Sequence, residues 1–279
     1  MDGFILVDKQ KGVSSNFVVQ DIKKKIKAKK VGHMGTLDPM ATGLLVLGVN
    51  RATKFSNHFL ESDKSYDVEI SLGVSTDTDD SSGNIIYEST DYPSKKLVKK
   101  ELDSFKGESL QVPPFFSALK HKGQPLYKYA RNGEFISKPA RKILITNIEN
   151  FYFKNNTCSF RIKCSKGTYI RSIARDLGKR LGCGAHMKSL KRISQGNFFI
   201  SKAKNINEIY LEDIISIEEA FKNLDMITIH SKDQKKFING VTICEVGKKD
   251  NIYRVFSNNN TFIGIGEIKE NTLKHKQLV

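Results

Sequence analysis

The sequence predicts an α+β protein with a smaller β-rich unit at its C-terminus. Apolar and polar residues alternate strictly over 66–72 and 158–164, which is typical of half-buried strands. Apolar residues recur at four-residue spacing within 18–26, which predicts a helix with one buried face. From Met226 onward the pattern changes to short strands around glycines, among them Gly240. With 279 residues the chain can form one large domain and a small one.

Strands and short helices follow one another in the first half of the chain. Residues 3–8 predict an opening strand, and Ser14 or Ser15 can cap the helix that follows. Lysines lie on the polar side and at the end of this helix, either as a solvated face or as a patch that contacts phosphate. The apolar run 44–47 predicts a buried strand, and a short amphipathic helix comes next. Its inward residues are Ala52, Phe55 and Phe59.

An acidic stretch at 76–83, TDTDDSSG, invites comparison with a calcium-binding EF-hand loop. Its acidic and hydroxyl residues fit several ligand positions of such a loop. Its glycine, Gly83, is at the seventh position instead of the sixth, and residues typical of a strand stand where the second helix should begin. We therefore predict a polar hairpin turn and no metal site.

The second half of the chain continues the mixed pattern. A helix is predicted over 94–105, and the segment 111–142 then mixes aromatic and basic residues and contains a short helix at 125–132. Such a mixture suits an insertion that grips RNA, although an ordinary surface excursion is the alternative. After Gly167 another helix is predicted, and residues 186–196 read as a basic strand and turn.

The composition limits the classes of partner. Lysine and arginine number 46 against 30 acidic residues, a formal charge of +16, which favours nucleic acid or an acidic membrane surface. No apolar run approaches the roughly 18–20 residues that span a bilayer, and the N-terminus does not look like a signal peptide. The four cysteines lack metal-type spacing and are expected as reduced thiols. We expect a cytoplasmic protein that binds nucleic acid.

The stretch 32–43, GHMGTLDPMATG, places three glycines around a single carboxylate, Asp38. Pro39 biases Asp38 toward an extended backbone, and the glycines permit close approaches that a side chain would block. This pattern suits an active-site loop mounted on the strand at 44–47. A glycine-rich turn with a surface aspartate remains open on the residues alone.

This stretch, followed by RATK, resembles the signature of the tRNA pseudouridine synthase B family. Further segments appear in the order of that family: DKQKGVSSN, DKSYDV, PPFFSALK to YARNGE, and KGTYIRSIARDLG. The resemblance covers nearly the whole chain and is weakest over the last fifty residues. One departure is Gln10, where the family usually has proline.

The resemblance implies a pseudouridine synthase fold, with a largely antiparallel mixed central sheet and flanking helices. It implies a catalytic domain at 1–224, a thumb-like RNA-binding insertion at 111–142 and a PUA-like RNA-binding domain at 225–279. The implied reaction converts uridine-55 in the T-loop of tRNA to pseudouridine and needs neither cofactor nor metal. The expected partner is the T arm of tRNA; the protein is expected as a monomer that needs no protein partner and no membrane.

The family also implies roles for six residues, of which Asp38 is the catalytic one. The other five would contact substrate or support the carboxylate. Tyr66 would stack on the flipped uracil, Tyr169 and Leu190 would line its pocket, and His33 would fill the space that the base leaves. Arg171 would pair with the catalytic aspartate. Arg171 also lies near the predicted start of a helix, where a positive charge is unfavourable without a nearby carboxylate.

Alternatives remain on the sequence alone. A guide-RNA-dependent pseudouridine synthase shares the Leu-Asp-Pro loop, and a non-catalytic RNA-binding protein would also explain the charge and the aromatic residues. Whether Asp38 attacks C1′, adds to uracil C6 or removes the C2′ proton stays open as well.

Overall fold

The protein combines a large mixed sheet, a small C-terminal sheet and seven α-helices in the part of the chain that our computed structural model describes, residues 1–244 and 247–279. The first strands are β1 (Gly3–Lys9), β2 (Val31–His33), β3 (Thr42–Val49), β4 (Lys64–Leu72), β5 (Val74–Thr76), β6 (Ile85–Glu88), β7 (Gly107–Gln111), β8 (Lys120–His121) and β9 (Gln124–Pro125). The later strands are β10 (Arg141–Lys154), β11 (Thr157–Cys164), β12 (Ala185–Gln195), β13 (Phe198–Phe199), β14 (Ile215–Ser216), β15 (Met226–Ile229), β16 (Asn251–Ser257), β17 (Phe262–Lys269) and β18 (Thr272–Leu278). The helices are α1 (Ser15–Lys25), α2 (Ser56–Glu61), α3 (Lys95–Asp103), α4 (Leu126–Arg131), α5 (Ile170–Leu181), α6 (Ile217–Ala220) and α7 (Ser231–Ile238).

The main sheet has the order β14-β1-β3-β12-β4-β11-β10-β7, with β2 paired to β3 and β13 to β12. Its pairs are antiparallel except for β3 and β12, which are parallel where Lys191 and Arg192 meet Thr42 and Gly43. The predicted mixed, largely antiparallel sheet with flanking helices is therefore confirmed. The parallel contact brings β12 beside the loop that contains Asp38.

The strands β1 and β3 are buried on both faces, so their sequences read as continuous apolar runs rather than as alternation. Ile5 and Leu45 face a core built with α1, α3 and α5, whereas Phe4 and Leu44 face a second core. The second core is rich in phenylalanine, and α2 and α6 contribute to it. The run 44–47 is thus a buried strand, as predicted.

Several local predictions are confirmed with small shifts of boundary. Ser14 is the N-cap of α1 and accepts a hydrogen bond from the Phe17 N–H. The acidic stretch joins β5 and β6 as a hairpin loop, in agreement with the prediction of a turn. The lysine-rich end of the first helix is shorter than predicted, because α1 ends at Lys25 and the lysines at 27, 29 and 30 follow it.

The C-terminal unit differs from the prediction in one element. Its sheet has the order β15-β16-β17-β18, but residues around Gly240 do not form a strand, because α7 ends just before them. Only Phe237 of α7 is buried, so the helix has no periodic apolar stripe that the sequence could reveal. Ile265 of β17 packs into the phenylalanine-rich core of the main domain. Residues 245–246 of the proposed unit 225–279 lie outside the described residues.

Candidate active site

Asp38 lies at a cavity of about 900 Å³ between the sheet, the start of α5 and the segment after β7. All five further residues that the family resemblance selected line the same cavity: His33 of β2, Tyr66 of β4, Tyr169 just before α5, Arg171 of α5 and Leu190 of β12. Tertiary folding therefore brings together residues from three strands, one helix and two loops. Their individual roles remain predictions.

Arg171 forms the predicted ion pair with Asp38. The distance between Arg171 Nη2 and Asp38 Oδ2 is 3.0 Å, and the arginine side chain is only 7% exposed, whereas that of Asp38 is 36% exposed. A second carboxylate, Asp80, lies 3.7 Å from Arg171 Nε, and Arg171 Nη1 donates to the Thr78 carbonyl at 3.3 Å. These acceptors offset the unfavourable position of a cation in the first turn of α5 and fix the direction of the guanidinium.

The sequence pattern around Asp80 predicts a polar turn and does not reveal this contact with Arg171. Asp80 is 4% exposed, and its carboxylate accepts hydrogen bonds from Thr78 Oγ1 and the Ser82 N–H, both at 2.9 Å. Backbone hydrogen bonds to Met187 of β12 attach this hairpin loop to the main sheet. Nothing in the local pattern shows that a loop so polar is folded inward, since the burial results from packing on β12.

The same hairpin loop holds a second arginine of α5. Arg175 Nη1 lies 3.2 Å from Asp79 Oδ2, and both side chains are largely buried. Burial raises the pKa of the Asp79 carboxyl to about 6, although Arg175 and Arg171 oppose this rise. The two arginines near the start of α5 thus each have an acidic partner in the loop between β5 and β6.

The backbone on either side of Asp38 is held by side chains from other elements. The Ser15 hydroxyl donates to the Leu37 carbonyl and accepts from the Leu37 N–H, both at 2.8 Å. Arg192, which is 2% exposed, donates to the carbonyls of Thr36 at 2.7 Å and Gly35 at 3.2 Å. The position of the carboxylate therefore depends on contacts distant in sequence.

Lys9, at the end of β1, holds the other side of the loop. Its ammonium donates to the Pro39 carbonyl at 3.3 Å and to the carbonyls of Gln10 and Val13 at 3.0 and 2.9 Å. The pKa of Lys9 is lowered to about 8, chiefly by burial; the negative charge of Asp38 opposes this shift, and the positive charge of Arg192 contributes to it. Gln10, at the position where the family usually has proline, thus contributes only its backbone carbonyl to this contact.

Gly43 permits the close contact between β3 and β12. A Cβ atom at this position would lie 2.4 Å from the Arg192 carbonyl oxygen, and the φ of Gly43 is +93°. Both the steric contact and the backbone conformation therefore require glycine. This is the close approach that the glycine-rich sequence predicted.

Two rings that line the cavity are influenced by the buried Arg192. Its guanidinium lies 5.8 Å from the centre of the Tyr66 ring, and burial raises the pKa of the Tyr66 hydroxyl. Burial lowers the pKa of His33, and the positive charge of Arg192 contributes to this shift, which favours the neutral imidazole. The buried His33 Nδ1 has no hydrogen-bond partner among the described residues.

The described ranges, 1–244 and 247–279, contain no group of three or more His, Cys, Asp or Glu side chains arranged to hold a metal ion. Within the same ranges, no helix has the length and apolar character to cross a membrane.

Comparison with known families assigns nearly the whole chain. A model of the N-terminal domain of TruB family pseudouridylate synthases matches residues 23–170. A model of the tRNA pseudouridylate synthase B C-terminal domain matches 171–230, and one of the C-terminal region of pseudouridine synthase II TruB matches 226–279.

Curated relatives match along their full length. A tRNA pseudouridine synthase B of Clostridium kluyveri is 41% identical, over 100% of this chain and 99% of the relative. A protein of the same name from Francisella philomiragia is 37% identical, over 99% of this chain and 94% of the relative.

Solved structures share the fold. The chain resembles one in an H/ACA ribonucleoprotein bound to a substrate RNA containing 2′-deoxyuridine, with a TM-score of 0.72 and 20% identity over 99% of this chain and 84% of that one. It also resembles one in a Cbf5-Nop10-Gar1 complex, with a TM-score of 0.71 and 24% identity over 99% and 83% of the two chains. At these identities the likeness concerns the fold alone. The family models and the relatives together show that the chain belongs to the TruB family of pseudouridylate synthases.

Proposed function

We propose that this protein isomerises uridine to pseudouridine in the T-loop of tRNA, at uridine-55, and that Asp38 is its catalytic residue. The observation that carries the proposal is the ion pair of Asp38 with a buried arginine at a large cavity, in a chain of this family. Relatives at 37–41% identity that bear the name tRNA pseudouridine synthase B support tRNA as the substrate.

The reaction breaks the C1′–N1 bond, turns the uracil and forms a C1′–C5 bond. A proton leaves C5 and N1 gains one, so atoms and electrons balance without an oxidant or reductant. Cleavage builds positive charge on the sugar, which a carboxylate can stabilise or capture, and attack at uracil C6 or removal of the C2′ proton would also use an anionic carboxylate. Arg171 supplies the opposite charge and a fixed orientation for Asp38 on each route.

The other residues at the cavity suit a base that has left its stack. We propose that Tyr66 stacks on the flipped uracil and that Tyr169 and Leu190 line the rest of its pocket. His33 would fill the space that the base leaves in the RNA, because an imidazole ring can stack on the neighbouring bases.

We propose that residues 111–142 hold the T arm as an insertion of the catalytic domain 1–224. Gln111 and Arg141 lie opposite each other in β7 and β10, so the chain leaves the sheet and returns at the same place. Phe116, Tyr127 and Arg131 of the insertion line the cavity, and its exposed lysines are suited to phosphate. The unit 225–279 would be a PUA-like domain that adds further contacts to tRNA.

A guide-RNA-dependent activity is the alternative within the same chemistry. The similar H/ACA and Cbf5 structures are less than 25% identical to this chain and therefore carry no argument about a guide. We propose instead that the protein acts as a cytoplasmic monomer that needs no guide and no protein partner.

The test is to incubate the purified protein with an unmodified tRNA transcript, without guide RNA, partner protein or added metal, and to map pseudouridine. One new pseudouridine in the T-loop is expected, and Asp38→Asn should abolish it. A requirement for a guide RNA would overturn the proposal, as would modification outside the T-loop only.

A further inference from the structure

The insertion is attached to the sheet through one cross-strand pair. Gln111 is the last residue of β7 and Arg141 is the first of β10, and they face each other in antiparallel register. Residues 112–140 extend from the sheet between them. A displacement of the insertion relative to the sheet is therefore transmitted first to this pair.

The side chain of Gln111 binds the backbone of Tyr169. Its Nε2 donates to the Tyr169 carbonyl at 3.0 Å, and its Oε1 accepts from the Tyr169 N–H at 2.8 Å. Gln111 is 2% exposed. Its amide thus uses both a donor and an acceptor on one residue and fixes the peptide groups on either side of it.

The side chain of Arg141 holds the ring of the same tyrosine. Its guanidinium lies 4.6 Å from the centre of the Tyr169 ring, within the range of a cation–π contact, and its Nη2 donates to the Gly167 carbonyl. The Tyr169 backbone and ring are therefore held separately, by the two residues that close the insertion.

Neither Gln111 nor Arg141 lines the cavity, whereas Tyr169 does. We propose that Gln111 and Arg141 are positioning residues that set the Tyr169 ring against the flipped base and couple its position to the RNA-holding insertion. This inference rests on the proposed function, because it assigns Tyr169 to the uracil pocket.

The root of the insertion is also bound to α5 through a backbone carbonyl. Ser172 Oγ and Arg175 Nη2 both donate to the Val112 carbonyl at 3.0 Å. Arg175 pairs in turn with Asp79, in the hairpin loop that also contains the second partner of Arg171. The attachment of the insertion is therefore continuous with the contacts that orient Arg171. Loss of this attachment should change the cavity as well as the edge of the sheet.

The first test measures how firmly the ring at position 169 is held, and it needs no catalytic turnover. The chain contains no tryptophan, so Tyr169→Trp introduces a single fluorescent reporter. In this background Arg141→Gln and Gln111→Met should raise acrylamide quenching about twofold and lower the anisotropy, because the ring gains freedom. Arg141→Lys, which keeps the charge but not the planar stack, should give an intermediate shift.

The matched control is Arg180→Gln. Arg180 lies over the Phe105 ring at 4.0 Å, at the other end of α5, and does not line the cavity. It should lower the melting temperature to a similar degree and leave the reporter unchanged.

The second test reads the chemistry. With Tyr169 retained, Arg141→Gln and Gln111→Met should lower the single-turnover rate at saturating tRNA by about 10–100-fold, as a misplaced substrate contact does. Arg180→Gln should keep the normal rate. Adding Arg141→Gln to Tyr169→Leu should cost nothing further, because Arg141 contacts the ring and acts through it.

Two results would overturn the proposal: an unchanged reporter in all variants, or additive losses in the double variant. If the unaltered protein makes no pseudouridine, the proposed function fails. The reporter still decides whether Gln111 and Arg141 position the ring, because that measurement needs no turnover.

Discussion

The loop around Asp38 and the insertion after β7 line the same cavity, but buried side chains fix the loop, whereas the helix of the insertion has few buried residues. The loop carbonyls are bound by buried side chains from β1, α1 and β12, namely Lys9, Ser15, Arg192 and Gln195. The insertion has one short helix and a two-residue strand pair, and of the residues in α4 only Leu126 and Ala130 are buried.

This difference fits the roles that we propose for the two regions, catalysis for the loop and RNA binding for the insertion. A reacting carboxylate loses activity if it moves by about 1 Å, so its loop must be fixed from several directions. Contacts to RNA phosphates tolerate adjustment, because long cationic side chains follow a mobile partner and their attraction varies slowly with distance. The predictions that follow test this contrast, beginning with the largest expected effect.

Removal of the charge from the loop should have the largest effect. Asp38→Asn should bind tRNA normally but lose at least about 10⁴-fold in rate, as expected when the central catalytic group is removed. Asp38→Glu should also fail, because the extra methylene displaces the carboxylate. Filter binding and mapping of pseudouridine measure both properties.

Asp67→Asn is the matched control. Asp67 also pairs with an arginine, Arg161, but this pair is exposed and lies outside the cavity. The Asp67→Asn variant should keep normal turnover. Residual turnover by Asp38→Asn, in a preparation free of host enzyme, would assign catalysis to another residue.

Replacing a glycine with alanine should destabilise the protein more in the loop around Asp38 than in the insertion. Gly43→Ala introduces a Cβ 2.4 Å from the Arg192 carbonyl and should lower the free energy of unfolding by about 3 kcal/mol. Gly133→Ala in the insertion also meets a positive φ, +81°, but no atom lies within 4 Å of the new Cβ. It should cost only about 1 kcal/mol, from backbone strain. Urea titrations measure the difference, and equal losses would show that the loop is not packed more tightly than the insertion.

Cations of the insertion should affect binding rather than chemistry. Replacement of Lys120, Lys122 and Lys128 with Ala should weaken tRNA binding and flatten the slope of log affinity against log salt by up to about three units. Single-turnover rates at saturating tRNA should change little. An unchanged slope would exclude these lysines from the RNA contact.

The final prediction concerns the pH dependence of stability that Lys9 produces. Its pKa is about 8 in the folded protein and 10.5 ordinarily, so between these values the unfolded chain binds more protons. Stability should therefore rise with pH across this window, by up to about 3 kcal/mol relative to a Lys9→Met variant. Lys11→Met controls for the change in net charge. A stability difference that stays constant from pH 8 to 10.5 would contradict the burial of the Lys9 ammonium.

Local patterns predicted most elements correctly because each carries its own signal. Alternation marked β4 and β11, the spacing of apolar residues marked α1 and α3, and a serine cap marked the start of α1. The helix α7 was missed because Phe237 is its one buried residue. The hairpin loop 77–84 was predicted correctly as a turn, but the burial of Asp80 was not, because the polar residues that satisfy its carboxylate also make the segment look exposed.

By itself the sequence determined the fold class and the family, because helix and strand periods and a long motif are local properties. The same motif predicted the Gly-Asp-Pro loop as an active-site loop. The sequence also indicated Arg171, since a cation at a helix start needs an anion. Only the tertiary structure decided which partners hold the site: Asp80 behind Arg171, Arg192 and Lys9 beneath the loop, and Gln111 and Arg141 against Tyr169. These contacts join residues distant in the chain, and their strength comes from burial, which a linear pattern does not encode.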